Sequence, residues 1–485
     1  MTNSNDNGTR SSRLAPISGK VLAAWQPGPE ADWSEVQRGS DAEVARFLIA
    51  RWRRRHPVVW SQGQLWFYEQ ETGCWTLQDK EDIRAEIIEL DGQPYGRPNH
   101  LGQRKVLNIG HRKAQTVWGV VGSLMISGRD RSNPNPFENA PNGVACPSGF
   151  LTASDGQLVL YPHHHEWFQR LSIPLAYEPE AQCPMWTRAL SDWFGADGDG
   201  GQKEAMLQEF FGAALFGLAP RFGRALFVVG TGGQGKSQIT EVLGGLLPKE
   251  RVGSVPPQRW SKEYDADRLS GLALNVVNEL PSKAIAEGSA FKAIITGDSI
   301  HARPIYGKPY DFRPRAAHIF SANHLPRSLD GSDGFWRRVL LLRMTRQFQT
   351  TKGPAKGHVQ NLAAQILATE AAGVLAWAVA GAQRLLEQGS YTVPVSSDRE
   401  VAQWRLDSDP LLQWLQERTE PCQDDRLKAL SRDLWNDWKQ WAHDNGYQSG
   451  GKGHWASLLA DRIGQKKRTK RGNTYPVCLK SRFDA

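Results

Sequence analysis

The sequence predicts an α/β protein: a parallel sheet with flanking helices carrying a phosphate-binding loop, an α+β domain ahead of it and a winged-helix domain behind it. Three observations lead there. RALFVVGTGGQGKSQITEVLGGLL, Arg224 to Leu247, reads as strand, glycine loop and helix. Further buried-strand candidates come after it, two of them ending in polar residues. Residues 410–485 then show three helical patterns and a basic, hairpin-like close.

In the first of these stretches, Ala225 to Val229 is an apolar run with a β-branched end. Ile239, Val242, Leu243, Leu246 and Leu247 recur behind it at helical spacing. Between them Gly230, Thr231, Gly232, Gly233, Gln234, Gly235, Lys236 and Ser237 fit G-x-x-x-x-G-K-[ST] at every fixed position. Gly232, Gly233 and Gly235 can aim successive amides inward, and the following helix N-terminus adds positive potential. Lys236 is placed to reach β- and γ-phosphates, and the Ser237 hydroxyl to hold Mg²⁺. The stretch predicts binding of a nucleoside triphosphate.

Composition sets the bounds. A chain of 485 residues exceeds one ordinary domain, and 40% hydrophobic with 23% charged residues reads as globular. The longest apolar run, Ala371 to Ala382, falls short of the about 20 residues that span a bilayer. The N-terminus lacks an apolar signal core, so no membrane partner and a cytoplasmic setting are expected. Five scattered cysteines without a C-x-x-C pair argue against a disulfide framework and a zinc ribbon. A net charge of +8 hints at a polyanionic partner.

Along the chain, residues 1–38 read as a polar arm and 39–203 as the α+β domain. Within it, a helix from Asp41 ends in the basic run RWRRRH, short strands come next, and helices are expected at Glu81 to Leu90 and Arg112 to Leu124. Asn142 to Phe168 is turn-rich and mostly strand. Its three histidines, His163 to His165, point to different faces of a strand and make a poor metal site. Residues 204–388 hold the nucleotide core and a helical lid, 389–409 a linker by composition, and 410–485 the winged helix.

The segments beyond the phosphate loop narrow the chemistry. Leu272 to Leu280 is a buried strand ending in Asn278 and Glu279. A residue at the first position contacts the Mg²⁺ shell through water, and the glutamate after it can polarise an attacking water. Arg315 to Pro326 is a third strand, ending in Asn323, an amide suited to sense the γ-phosphate. Arg337 and Arg338 stand between a turn and another apolar run, where a guanidinium can serve a neighbouring subunit's phosphoryl group. No N-K-x-D guanine motif occurs, and LSGLA at Leu269 is not the LSGGQ of transport ATPases.

The nearly equal intervals Lys236–Glu279–Asn323 resemble those of the superfamily 3 helicases, an AAA+-related group of viral, phage and plasmid replication proteins. More specifically, the chain looks like the primase-helicases of satellite phages and poxviruses. The resemblance covers residues 60–485, with specific motifs from 230 to 338. It implies an AAA+-like core, ATP and Mg²⁺ as cofactors, a homohexameric ring, 3′→5′ travel on single-stranded or forked DNA, and a primase or other replication protein as partner. It implies that Phe291 to Pro314 forms a channel hairpin in which Lys292, Arg303, Tyr306 and Lys308 grip the strand. Lys466, Lys467, Arg468, Lys470 and Arg471 would hold duplex DNA or a partner. Asn278 departs from the pattern, standing where an acidic residue is more usual. With no zinc motif or carboxylate constellation ahead of Asn142, no primer synthesis is expected. The rival reading is a replication initiator that assembles on or melts DNA without processive unwinding; a P-loop kinase or terminase-like motor fits less well.

Overall fold

The computed structural model describes residues 25–480, apart from 62, 128–134, 138–139, 155, 282, 284, 286–287, 306, 308, 329, 331, 351–352, 355–358 and 425. Its N-terminal part is built on the helix Asp41–Arg55. Ser40 and Glu43 close a capping box there, satisfying amides the first turn leaves open. Val44, Leu48 and Trp52 recur at helical spacing and are buried against Val117 and Val121 of the helix His111–Ser127. An antiparallel sheet, Val58–Ser61, Gln64–Glu69 and Cys74–Leu77, contributes Trp60, Leu65 and Phe67 to the same core. Within residues 142–168, read as turn-rich and mostly strand, Gly143–Cys146, Gly149–Ser154 and Gln157–Tyr161 form a second antiparallel sheet. The histidines come after its last strand rather than on one, with His165–Trp167 a short 3-10 helix.

Among the described residues, five strands form the central parallel sheet: β1 (Ala225–Val229), β2 (Val252–Gly253), β3 (Leu274–Val277), β4 (Ala317–Ala322) and β5 (Val339–Arg343). Their spatial order is β2-β3-β4-β1-β5, every neighbour parallel. Both faces are covered, which is why the strands read as unbroken apolar runs. In β1, Leu226 and Val228 enter one core while Ala225, Phe227 and Val229 enter the other. Burying a large side chain of this kind contributes about 1.5–3 kcal/mol. The buried pair Asn275 and His318 faces across β3 and β4. Asn275 holds both Val255 N and Val255 O, and burial drives the His318 pKa down to about 3.

One face of the sheet is covered by the helices Pro184–Phe194, Gly200–Leu215, Lys236–Gly245 and Ala371–Gln388. Gly200–Leu215 and Ala371–Gln388 cross at backbone contact. A Cβ on Gly212 would fall 2.5 Å from Ala382 N, and one on Gly381 would strike Gln208 O. Among the described residues no single helix is long and apolar enough to cross a membrane. The bent pair Leu362–Thr369 and Ala371–Gln388 passes by length and composition only together, with a 91° break. Val374, Leu375, Ala378, Ala382 and Leu385 of its second helix are buried in the core.

Two expectations need correction. The stretch 389–409 is not a bare linker: Val395–Ser408 is a helix packed on β5. Ser397 Oγ accepts Leu341 N at 3.0 Å, and Trp404 is buried with its indole donating to Pro326 O at 2.7 Å. Gly, Ser and Pro before this helix mask it from a compositional reading. Among the described residues, one disulfide joins Cys422 and Cys478, with Cα atoms 5.5 Å apart. They meet because Thr419–Pro421 pairs antiparallel with Val477–Leu479. The C-terminal region otherwise comprises helices Pro410–Arg418, Ser431–Asp444 and Lys452–Ile463, around buried Trp414, Trp438, Trp441, Trp455 and Tyr475. The basic hairpin comes next as Lys467–Thr469 and Gly472–Thr474, turning at Lys470–Arg471.

Candidate functional site

The C-terminal ends of β1, β3 and β4 lie along one edge of the sheet, where a doubly covered parallel sheet opens its crevice. Gly230, Asn278 and Asn323 come directly after those strand ends. Gly233 and Gly235 take φ of +78° and +92°, the left-handed region that other residues avoid. They fold the loop back onto the first turn of the helix Lys236–Gly245. The segment after β5 braces it: Phe348 N donates to Gly233 O at 2.9 Å, Gln347 Nε2 to Gly232 O at 2.6 Å, and Gln234 Nε2 to Thr345 O at 3.1 Å. Thr231 Oγ1 reaches Gln347 Oε1 at 3.2 Å. The Gln234 side chain therefore anchors the loop instead of facing a ligand.

Lys236 lies folded over its own loop. Its Nζ donates to Gly230 O at 2.6 Å, Thr231 O at 2.8 Å and Asn323 Oδ1 at 3.0 Å. Partial burial holds its pKa below the ordinary lysine value. Lys236, Ser237, Asn278, Glu279 and Asn323 all line one cavity of about 1030 Å³. Glu279 is exposed at the end of β3. Asn278 Oδ1 accepts the Thr240 hydroxyl at 2.8 Å, one turn beyond Ser237.

The residues fit Mg²⁺ in one respect. The Ser237 hydroxyl opens on the cavity and has no protein partner among the described residues. No group of three or more His, Cys, Asp or Glu placed for a metal occurs among those residues. A hard cation here would draw most of its oxygens from phosphates and water, as Mg²⁺ does.

Motif reading missed the cavity's other wall. Met185, Arg188, Ala189, Asp192 and Trp193, on the helix Pro184–Phe194, line it, as do Phe348, Asn361 and Gln365. Trp193 backs the phosphate loop, since a Cβ on Gly235 would fall 2.6 Å from its Nε1. Gln238 Oε1 accepts Ala363 N at 2.8 Å and so ties the phosphate-loop helix to the lid helix Leu362–Thr369. These residues lie about 40 or more positions before the loop or about 110 or more after it, and pockets are routinely assembled from such distant segments. No local pattern marks them.

The remaining candidates lie elsewhere. Arg337 is exposed, whereas Arg338 is half-buried, donates to Gly334 O at 2.5 Å, and is held below the ordinary arginine pKa by burial and by Arg337. Lys292, on the helix Gly288–Thr296, pairs with Asp330 at 2.9 Å and lies against Gly334 rather than standing free. The hairpin Ile300–Ala302 and Tyr310–Phe312 carries Arg303, whose Nε donates to Gly307 O at 3.2 Å. Tyr306 and Lys308 lie outside the described residues. Lys466, Lys467, Arg468, Lys470 and Arg471 are all exposed on the C-terminal hairpin, and the Arg471 guanidinium donates to Arg426 O.

Known proteins resemble this chain at the level of a family model, a curated relative and solved structures. Residues 228–338, from β1 through Arg338, match a family model described as a family of unknown function (DUF5906). A protein of Acanthamoeba polyphaga mimivirus named "Putative helicase L207/L206" is 28% identical over 129 residues, 25% of this chain. The match spans 13% of that relative's length. Among solved structures, the apo A form of the NrS-1 C-terminal region superposes over 90% of this chain and 99% of its own, at 12% identity and TM-score 0.45. Another apo structure of that region covers 91% and 99%, at 10% identity and TM-score 0.43.

Proposed function

We propose that the chain is an ATP-driven DNA motor of superfamily 3 type, working as a ring in replication. The observation that carries this reading is the convergence of Lys236, Ser237, Glu279 and Asn323 on one cavity at the edge of the sheet. The strand order β2-β3-β4-β1-β5, with the phosphate-loop strand between β4 and β5, supports an AAA+-like core. The name of the mimivirus relative points the same way.

In this reading the backbone amides of Gly232 to Lys236 cradle the phosphates, and Lys236 leaves its carbonyls to neutralise the β- and γ-oxygens. Mg²⁺, held by the Ser237 hydroxyl and through water by Asn278, would supply further charge neutralisation. Glu279 takes the proton of a water that attacks the γ-phosphorus as the bond to the leaving ADP breaks. Asn323, at the end of β4, orients that water and the γ-phosphate. Of the two arginines, Arg337 is the better candidate to complete a neighbour's site, because Arg338 is spent on Gly334 O. The hairpin bearing Arg303 would follow one strand in the channel. The C-terminal helices and basic hairpin match a winged helix in order, and their exposed cations suit a duplex or a replication partner.

The test is strand displacement on a forked duplex with ATP, together with the assembly state in solution. Unwinding by wild type and none by Lys236→Ala is the expected result. Tight binding of one duplex sequence without unwinding would replace the motor with an initiator.

A further inference from the structure

The N-terminal part carries a surface that the motor reading leaves unused. Residues 92–127 contain five lysines and arginines, Arg97, Arg104, Lys105, Arg112 and Lys113, and no aspartate or glutamate. In the structure these residues build a two-stranded hairpin, Pro94–Tyr95 and Lys105–Val106, and the helix His111–Ser127 behind it. Arg97, Arg104, Lys105 and Arg112 are all exposed, and none has an ion-pair or hydrogen-bond partner for its side chain among the described residues. Lys113 alone is engaged, donating to Gly39 O at 3.2 Å.

The hairpin is held at both ends. At its base, Leu107 N donates to Gln93 O at 2.9 Å and Gly92 N to Leu107 O at 2.8 Å, while Leu107 and Ile109 are buried. Trp33 Nε1 adds a bond to Pro94 O at 2.7 Å, and Gly96 N one to Val36 O at 3.0 Å. At the tip, Asn99 Oδ1 accepts both Leu101 N and Gln103 N at 2.9 Å, and Asn99 N donates to Gln103 O at 2.8 Å. This closed tip presents Leu101 to solvent at 69% exposure, with Val106 at 63% on the strand below.

We propose that this ribbon is a second nucleic-acid surface that docks on duplex DNA, its cations on phosphates and Leu101 in a groove. Four unpaired cations without a carboxylate among residues 92–127 fit a phosphate backbone. A two-stranded ribbon has the width a groove admits, and a leucine at its tip is the kind of apolar wedge that groove binders press between base steps. A single-strand site calls for exposed aromatic platforms. Among the described residues of this stretch, the large exposed hydrophobics are Leu101, Val106 and Ile126, with no aromatic ring. The surface does not depend on the nucleotide site, so its test is independent of the motor reading.

The experiment is fluorescence anisotropy of the full chain without nucleotide, using a labelled random-sequence duplex and a single strand of equal length over a salt series. The triple variant Arg97→Ala, Arg104→Ala, Lys105→Ala is expected to bind the duplex at least about tenfold more weakly. Its log–log salt slope should fall by about 2 to 3, with the single strand little affected. Arg104→Ala and Lys105→Ala alone should each lower the slope by about 1, which keeps the test decisive if the triple variant loses its thermal transition. Leu101→Ala is expected to weaken duplex binding about threefold or more and leave the slope unchanged. Wild-type duplex affinity and slope in the charge variants would overturn the proposal. So would a loss confined to the single strand, or an equal loss on both probes.

Discussion

Removing the Asn323 side chain should tighten ADP while slowing turnover, two effects of opposite sign from one change. Without nucleotide, Lys236 is held by Gly230 O, Thr231 O and Asn323 Oδ1. To meet phosphate the ammonium must give up part of this set. A hydrogen bond to a charged group is worth about 1.5–3 kcal/mol, and the partial exposure of this site scales that down to about 1 kcal/mol. Asn323→Ala removes that restraint from the free site only. ADP has no γ-phosphate for Asn323 to touch in return, so its Kd should fall about fivefold. ATP turnover should fall about 10²-fold or more, because the amide proposed to orient the attacking water is gone. Isothermal titration with ADP·Mg²⁺ and a phosphate-release assay read the two separately. An ADP Kd that rises or stays at the wild-type value would refute the tether, whatever happens to turnover.

Glu279→Gln should lower kcat by about 10²–10⁴ while ATP still binds, measured by phosphate release and by retention of labelled ATP. Arg337→Ala should lose about 10³-fold in turnover with an unchanged thermal midpoint, whereas Arg338→Ala should lower the midpoint, because its side chain braces Gly334. Burial holds His318 neutral in the native state down to about pH 3, against about 6.5 in the unfolded chain. A base depressed in this way leaves stability intact above its unfolded pKa and removes it as pH falls below. Between pH 7 and pH 5 the loss is about 2 kcal/mol. Urea midpoints should fall less over that range in His318→Gln than in wild type; equal falls would show that His318 carries none of the effect.

The phosphate loop is legible in the sequence because its signal is local. Glycine positions, an apolar strand before and helical periodicity after all sit within Arg224 to Leu247. The later strands are readable for the same reason, each an apolar run ending in a polar residue. The hidden features depend on distant chain. Trp193 touches Gly235 only once the helix Pro184–Phe194 has packed into the sheet's core, and Phe348 and Asn361 arrive from beyond β5. Trp404 secures a helix that composition disguises as a linker. Cys422 and Cys478 pair across 56 residues through two short strands, and β2 is two residues long, too brief for any periodicity. The cations of the N-terminal ribbon are plain in the sequence, but only the closed turn at Asn99 and the exposure of Leu101 mark them as a surface.

If this cavity hydrolyses ATP to move DNA, single-stranded DNA must stimulate the hydrolysis. The measurement that tests it most directly is steady-state ATP hydrolysis with and without single-stranded DNA, for wild type, Lys236→Ala and Arg303→Ala. A motor of this kind should hydrolyse ATP faster with DNA in wild type, not at all in Lys236→Ala, and without DNA stimulation in Arg303→Ala. Hydrolysis indifferent to DNA in wild type, or surviving the loss of Lys236, would contradict it.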